Sequence, residues 1–136
     1  MMDDMLSMFG EAFDEVESYG RARPSEPYLE RLLAAGTFIA LVALKNGTTV
    51  GGLVAYELPK FEQERSELYI YDLAVAAAYR RQGIATALIL ELKKMASARG
   101  AYDIFVQADI GDAPAIALYR KLGTSENVLH FDIGVT

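Results

Sequence analysis

Arg80, Arg81 and Gly83 stand together in the run Tyr71-Asp72-Leu73-Ala74-Val75-Ala76-Ala77-Ala78-Tyr79-Arg80-Arg81-Gln82-Gly83-Ile84-Ala85-Thr86-Ala87-Leu88, and the chemistry they offer is anion binding. An apolar strand, a basic turn and a helix start leave unpaired backbone N–H groups facing one way at the helix N-terminus. Gly83 lets the backbone approach a ligand with no Cβ between them, and the two arginines add positive charge where a phosphate would sit. The run has neither the Gly-x-Gly-x-x-Gly of a dinucleotide fold nor the Gly-Lys-Ser/Thr of a nucleoside triphosphatase loop. Taken alone, it also fits an ordinary strand-to-helix connection.

Asp72 is the second chemical centre. Strand alternation places it on one face with Leu68, Ile70 and Ala74, an ionisable group on an otherwise apolar face of a central strand. A charge so placed is costly unless paired, so Asp72 either meets a ligand cation, relays a proton, or forms an internal ion pair with a base such as Arg65. Gln107 and Asp109 share a face further along, as do His130 and Asp132, opposite Leu129, Phe131 and Ile133. If those faces converge on one cleft, Asp72, Asp109, Asp112 and Asp132 form an acidic pocket suited to a molecule with several ammonium groups. Asp109 and Asp112 are equally at home in a turn, and Asp132 on a solvated edge strand. His130 is the one imidazole and a second choice as proton acceptor.

With 136 residues, 52% hydrophobic and 24% charged, the chain is expected to be a single domain over residues 1–136. The absence of cysteine removes disulfides, thiolate metal sites and acyl-cysteine intermediates, and a single histidine argues against a zinc site. A net charge of −6 argues against a duplex nucleic-acid binder and suits a cationic small molecule. No apolar run reaches the ~18 residues of a membrane span. Met1-Met2-Asp3-Asp4 lacks the basic start of a signal peptide, so the expected location is cytoplasmic.

These groups need elements to hold them. Met5, Met8, Phe9, Ala12, Phe13 and Val16 predict an amphipathic helix over Asp3 to Tyr19, ended by Gly20. Ser25 is the predicted N-cap of a second helix bearing Tyr28, Leu29, Leu32 and Leu33, closed at Gly36. Thr37 to Lys45 and Thr48 to Leu58 read as a hairpin about Asn46-Gly47, a pair that tolerates positive φ. Glu67 to Ala76 is the third strand, Ile84 to Arg99 a long helix, and Asp103 to Asp109 a fourth strand, parallel to the third. Pro114 opens a short helix to Gly123, and Val128 to Ile133 reads as a last strand.

The order Arg80-x-x-Gly83-x-Ala85 after Leu73-Ala74-Val75 resembles the acetyl-CoA pyrophosphate loop of the GCN5-related N-acetyltransferase superfamily. Downstream, Asp112-x-x-Ala115-x-x-Leu118-Tyr119-x-Lys121-Leu122-Gly123 resembles its later motif, with Asp112 where Asn is usual and Thr124 where Phe is usual. The implied fold is α+β: a mixed central sheet with splayed parallel strands and flanking helices. The first strand is apparently absent, because the chain begins at the first helix. Strings such as Leu58-Pro59-Lys60-Phe61-Glu62-Gln63, Tyr69-Ile70-Tyr71-Asp72-Leu73-Ala74-Val75 and His130-Phe131-Asp132-Ile133 are similar to aminoglycoside 3-N-acetyltransferases of the gentamicin-modifying class.

That resemblance implies acetyl-CoA as cofactor, an aminoglycoside as substrate and antibiotic resistance as the outcome. It implies a cofactor clamp of Leu73, Ala74, Val75, Arg80, Arg81, Gln82, Gly83, Ile84, Ala85 and Thr86, with Asp112, Ala115 and Tyr119 downstream. A Val75 N–H is then the candidate oxyanion donor, Tyr119 the acid for the departing thiolate, and Asp72 the anchor or relay for the amine. Tyr71, Gln107, Asp109, His130 and Asp132 complete the expected substrate side. Superfamily members often pair through sheet edges, and a sheet short of its first strand admits such a homodimer. The rivals are acetylation of a polyamine or a protein amine, or an acetyl-CoA-binding module without catalysis.

Overall fold

A computed structural model describes residues 1–13 and 23–136. The chain opens on α1 (Met2–Ala12) and α2 (Glu26–Ala34). The hairpin β1 (Phe38–Lys45) and β2 (Thr48–Pro59) follows, then β3 (Ser66–Val75) and a 3₁₀ turn at Ala77–Tyr79. Last come α3 (Ile84–Arg99), β4 (Ala101–Val106) and α4 (Ala113–Leu122). The sheet runs β1-β2-β3-β4, antiparallel except for the parallel β3–β4 pair. This is the expected α+β architecture.

Local chemistry accounts for the boundaries. Asn46 and Gly47 take φ of 51° and 80°, which lets β1 turn directly into β2. Ser25 accepts a hydrogen bond from the Tyr28 N–H (3.3 Å), with a proline in the first turn of α2. Gly100, at φ 76°, stops α3 so abruptly that β4 starts on the next residue, earlier than the expected Asp103. The predicted continuation of α1 to Tyr19, with Val16 on its stripe and Gly20 at its end, lies outside the described residues.

The sheet has a core on each face. Ile39, Leu53, Ala55, Leu68 and Ile70 pack with Leu88, Ile89, Leu92 and Ala96 of α3. Phe38, Val54 and Ala74 pack on the other side with Met5, Met8 and Phe9 of α1. Gly51 and Gly52 allow both helices to come close. A Cβ at Gly52 would lie 2.8 Å from Met5 Cγ, and one at Gly51 would lie 2.9 Å from Ile84 Cγ2.

One expectation fails outright. Val128 to Ile133 forms no strand: residues 124–136 carry neither helix nor strand, and every one of them is exposed. Alternation alone does not make a strand, which needs a neighbour, and among the described residues no strand pairs with this segment.

Glu57 ties the sheet to α3. It accepts from Ser66 Oγ (2.6 Å) and from Arg99 Nη1 (2.7 Å), while Arg99 Nη1 also donates to the Gly36 carbonyl (2.6 Å). Burial pushes the Glu57 carboxyl up, but the Ser66 and Arg99 hydrogen bonds and the Arg99 charge outweigh it and leave the pKa lowered. The folded state therefore holds this proton less tightly than the unfolded chain. Its contribution is present above the ordinary 4.5 and is lost as pH falls through the lowered value. Glu57→Gln should cost about 2 kcal/mol at pH 7. Denaturant unfolding should show the gap between variant and parent shrinking below the ordinary carboxylate range.

Candidate active site

The anion-binding turn forms as expected. Arg81 and Gly83 take φ of 64° and 78°, and such a turn gathers peptide N–H groups into a concavity. Gly83 is the N-cap of α3 and offers no side chain to bond the first helical amides. The first intrahelical bond runs from Ala87 N to Gly83 O (3.0 Å), which leaves the amides of Ile84, Ala85 and Thr86 without helical partners. Nothing lies within 4 Å of where a Gly83 Cβ would be, so the approach is open. These features fit a diphosphate.

The flanking side chains divide the work. Arg80 is engaged by its own chain: its Nε donates to the Val75 carbonyl (3.1 Å) and its guanidinium reaches the Ala12 carbonyl (3.5 Å), pinning the loop to the end of β3. Gln82 accepts from Lys45 Nζ (3.2 Å), and that ammonium also lies 5.5 Å from the Tyr79 ring centroid. Arg81 is exposed beside the open amides. Of the two arginines, Arg81 is the one positioned for a phosphate.

The sheet opens where the chemistry is expected. β3 and β4 pair from Ser66–Ala101 to Ile70–Val106, and beyond that β3 continues to Val75 without β4 beside it. Ala76 N donates to Val50 O (2.8 Å), while Gly51 and Val75 are opposite one another. In an antiparallel ladder this makes Val75 a position whose own N–H and carbonyl turn away from β2. Leu73, opposite Leu53, turns the same way. Both amides therefore face the gap.

A β-bulge then corrects the expected position of Asp72. Ala55 pairs with Ile70 but Val54 pairs with Asp72, so Tyr71 is an extra residue in β3. The alternation slips by one, and Asp72 does not share a face with Leu68 and Ile70. It lies on the α1 side with Val54, in a cleft of about 230 Å³. Met5, Phe9, Tyr28, Leu32, Tyr56 and Tyr71 line the same cleft. Arg65, the proposed internal partner of Asp72, is occupied elsewhere: it lies 3.8 Å from Glu62 and 3.7 Å from the Tyr102 ring centroid.

Tyr71, expected on the substrate side, is joined around this carboxylate by Tyr56 and Tyr69, which the sequence did not single out. The Tyr56 and Tyr71 rings meet edge-on at 5.9 Å, and Tyr69 and Tyr71 at 6.0 Å. Tyr69 stacks on Phe105 at 4.6 Å and donates its hydroxyl to Gln107 Oε1 (2.9 Å). Burial raises the Tyr56 and Tyr69 phenols, as do the neighbouring Tyr71 and the Asp72 charge. The signal was present in the alternation Tyr69-x-Tyr71, but its meaning depended on the bulge.

The four-carboxylate pocket does not form. Of the four, only Asp72 lines the cleft. Asp112 caps α4 by accepting from Ala115 N (3.3 Å), and its own N–H donates to the Asp109 carbonyl (2.9 Å), closing the Asp109 turn. His130 and Asp132 bond one another (2.9 Å) on the exposed tail. No cluster of His, Cys, Asp and Glu among the described residues could hold a metal ion.

Tyr119 sits across the sheet from Asp72. It is half-buried on α4 and packs against the core that includes Leu73, Val106 and Leu118. Burial raises its phenol first, and the Asp112 charge adds to the shift. The gap between β3 and β4 thus joins two compartments: a cleft with a carboxylate on one face, and an open anion turn with a protonated phenol on the other.

Known proteins share this fold. A crystal structure of an aminoglycoside acetyltransferase from an uncultured soil metagenomic sample superposes with a TM-score of 0.97 at 64% identity, over 99% of this chain and 90% of that one. A second soil aminoglycoside acetyltransferase, solved with sisomicin, gives 0.80 at 31% identity, over 98% of this chain and 92% of its own. An N-alpha-acetyltransferase of Sulfurisphaera tokodaii is 33% identical over 87 residues, covering 56% of this chain. The match spans only about half of that relative, 52% of its length. No helix among the described residues is long and apolar enough to cross a membrane. The profile of the acetyltransferase (GNAT) family matches residues 2–124, and the chain therefore belongs to that family, whose members bind acetyl-CoA.

Proposed function

We propose that the chain is an N-acetyltransferase that moves an acetyl group from acetyl-CoA to a ring amine of an aminoglycoside, the 3-amino group of gentamicin-like compounds, by direct attack in a ternary complex. The observation that carries this reading is the gap beside Val75, which opens toward Asp72 on one face of the sheet and toward Tyr119 on the other. The soil enzymes supply the substrate class, and the cytoplasm the setting. Antibiotic resistance would be the consequence.

When bound, acetyl-CoA supplies a thioester acyl group and a thiolate leaving group. Ile84, Ala85 and Thr86 amides with Arg81 hold its diphosphate. The Val75 N–H donates to the oxygen on which negative charge develops. Asp72 holds the acceptor ammonium and, through water, takes the proton that the amine must lose. Tyr56, Tyr69 and Tyr71 offer ring faces and hydroxyls to a cationic sugar. Tyr119 holds a proton at its Oη for the thiolate.

Gly51→Ala tests the clamp without touching it. The new Cβ crowds Ile84 Cγ2 and lies 3.5 Å from Leu88 Cδ1, so it pushes the first turn of α3 outward. Steady-state kinetics should show KM for acetyl-CoA raised about tenfold and kcat little changed, with a stability loss of about 1–2 kcal/mol.

The cleft is largely aromatic and apolar with a single carboxylate, which also suits a peptide N-terminus, as in the archaeal relative. Thiol release from acetyl-CoA should therefore be followed with gentamicin, spermidine and a short peptide side by side. Release with gentamicin alone is the expected result. Release with the peptide or spermidine but not gentamicin overturns the substrate and keeps the enzyme. Release with none, despite acetyl-CoA binding, leaves a binding module.

A further inference from the structure

The cleft beside Asp72 holds more apolar surface than a sugar can use. Its two helical walls are tied together. Arg23, just before α2, donates from Nη1 to the Asp3 carbonyl (2.9 Å) and carboxylate (3.2 Å), and from Nη2 to Ser7 Oγ (3.3 Å) on α1. Leu6 of α1, Pro24, and Leu29 and Leu32 of α2 line the space between, and all are half-exposed. Leu32 touches the α1-side core, yet no residue of α2 is buried. The apolar stripe of α2 therefore faces the cleft with surface that a ligand can still cover.

Polar groups are few there. Asp72 is the sole acid among the described residues that line the cleft, and its other polar side chains are the phenols of Tyr28, Tyr56 and Tyr71. At about 230 Å³ it lies below the ~300–1,000 Å³ of sites for drug-sized ligands, so one ring and a short arm fill it. Sugar hydroxyls pressed against Leu6, Leu29 and Leu32 would lose water without gaining partners. A multi-ring aminoglycoside can place one ammonium at Asp72 while its other rings stay outside, over the exposed Tyr71.

We infer that the same cleft takes a second class of acceptor, a primary arylalkylamine. Its aromatic body lies between Leu6, Leu29, Leu32 and the tyrosine rings, and its ammonium meets Asp72 beside the gap at Val75. The inference rests on the acetyltransferase reading of the site and is independent of the aminoglycoside. The ammonium gives up one proton through water to Asp72 and on to solvent. The nitrogen lone pair then forms the C–N bond to the acetyl carbon, and the C–S bond breaks with its electron pair on sulfur. A second proton leaves nitrogen and offsets the one that Tyr119 passes to the thiolate. The products are the N-acetyl arylalkylamine, the CoA thiol and one proton.

The test measures thiol release, and the acetylated product by mass spectrometry, for 2-phenylethylamine, 2-methoxyethylamine and gentamicin at saturating acetyl-CoA. The methoxy compound is a primary amine of similar basicity without the ring. kcat/KM for 2-phenylethylamine should exceed that for 2-methoxyethylamine by about 100-fold, as a ring seated in an apolar slot requires. Equal values, or no acetylated 2-phenylethylamine while gentamicin is acetylated, overturn the inference and leave the aminoglycoside reading standing. Acetylated 2-phenylethylamine with gentamicin untouched sustains the inference and overturns that reading. No product from any of them overturns both. Leu29→Gln with Leu32→Gln then locates the ring. Because α2 buries no residue, the fold should hold, which circular dichroism checks. The preference for 2-phenylethylamine over 2-methoxyethylamine should fall about tenfold or more. An unchanged preference places the ring elsewhere and overturns the inference.

Discussion

Asp72→Asn is expected to lower kcat/KM for the amine by about 100-fold or more while leaving acetyl-CoA affinity within about twofold. The substitution keeps size and hydrogen bonding and removes only the charge. Asp72 lies in the cleft with Tyr56 and Tyr71; burial and Tyr71 raise the Tyr56 and Tyr69 phenols, and the Asp72 charge adds to the shift. An ammonium entering there meets one carboxylate, with aromatic rings excluding water around it. In the proposed mechanism, losing that carboxylate removes both the anchor and the first proton acceptor. Isothermal titration with CoA and steady-state kinetics with varied amine at saturating acetyl-CoA separate these effects. Equal loss on the cofactor side would mean that Asp72 holds β3 in shape and does not meet the acceptor.

The bulge at Tyr71 marks the limit of what alternation could reveal. Strand 66–75, the parallel pair and the helix from Ile84 to Arg99 were all legible because apolar spacing and glycine stops are local signals. The anion turn was legible for the same reason, since Gly83 and the helix start are adjacent in sequence. The face of Asp72 was not. It depends on one extra residue opposite the Val54–Ala55 step of β2, a non-local register that no period-2 count contains. The expected acidic pocket failed for a related reason: Asp112 spends its side chain on a helix cap, a role its position before Ala113 and Pro114 equally allows. The expected last strand, Val128 to Ile133, failed because alternation is a local pattern while a strand needs a neighbour to pair with, which is not written in its own residues.

Tyr119→Phe is the second large effect, expected to reduce kcat about 100-fold with little change in KM for acetyl-CoA and none in stability. The phenol is raised above its ordinary 10.0 by burial and by Asp112, so at neutral pH it carries its proton. A thiol of the cysteine type titrates near 8.5, so passing a proton from a phenol to its thiolate is uphill by at least about 2 kcal/mol. In the proposed mechanism Tyr119 would therefore act chiefly by hydrogen bonding to the developing thiolate, with full transfer drawn on by the proton released from the amine. This bounds the effect to what one positioned donor supplies. The pH profile gives a readout that packing alone does not move. In the parent, kcat should fall only above 10.0, as the raised phenol ionises, and that alkaline limb should vanish in the Phe variant. Asp112→Asn keeps the α4 cap but removes the charge that helps raise the phenol, so it should shift the limb downward while leaving neutral-pH turnover near the parent's. A limb unchanged in both variants would assign the titration to another group and leave Tyr119 a packing residue.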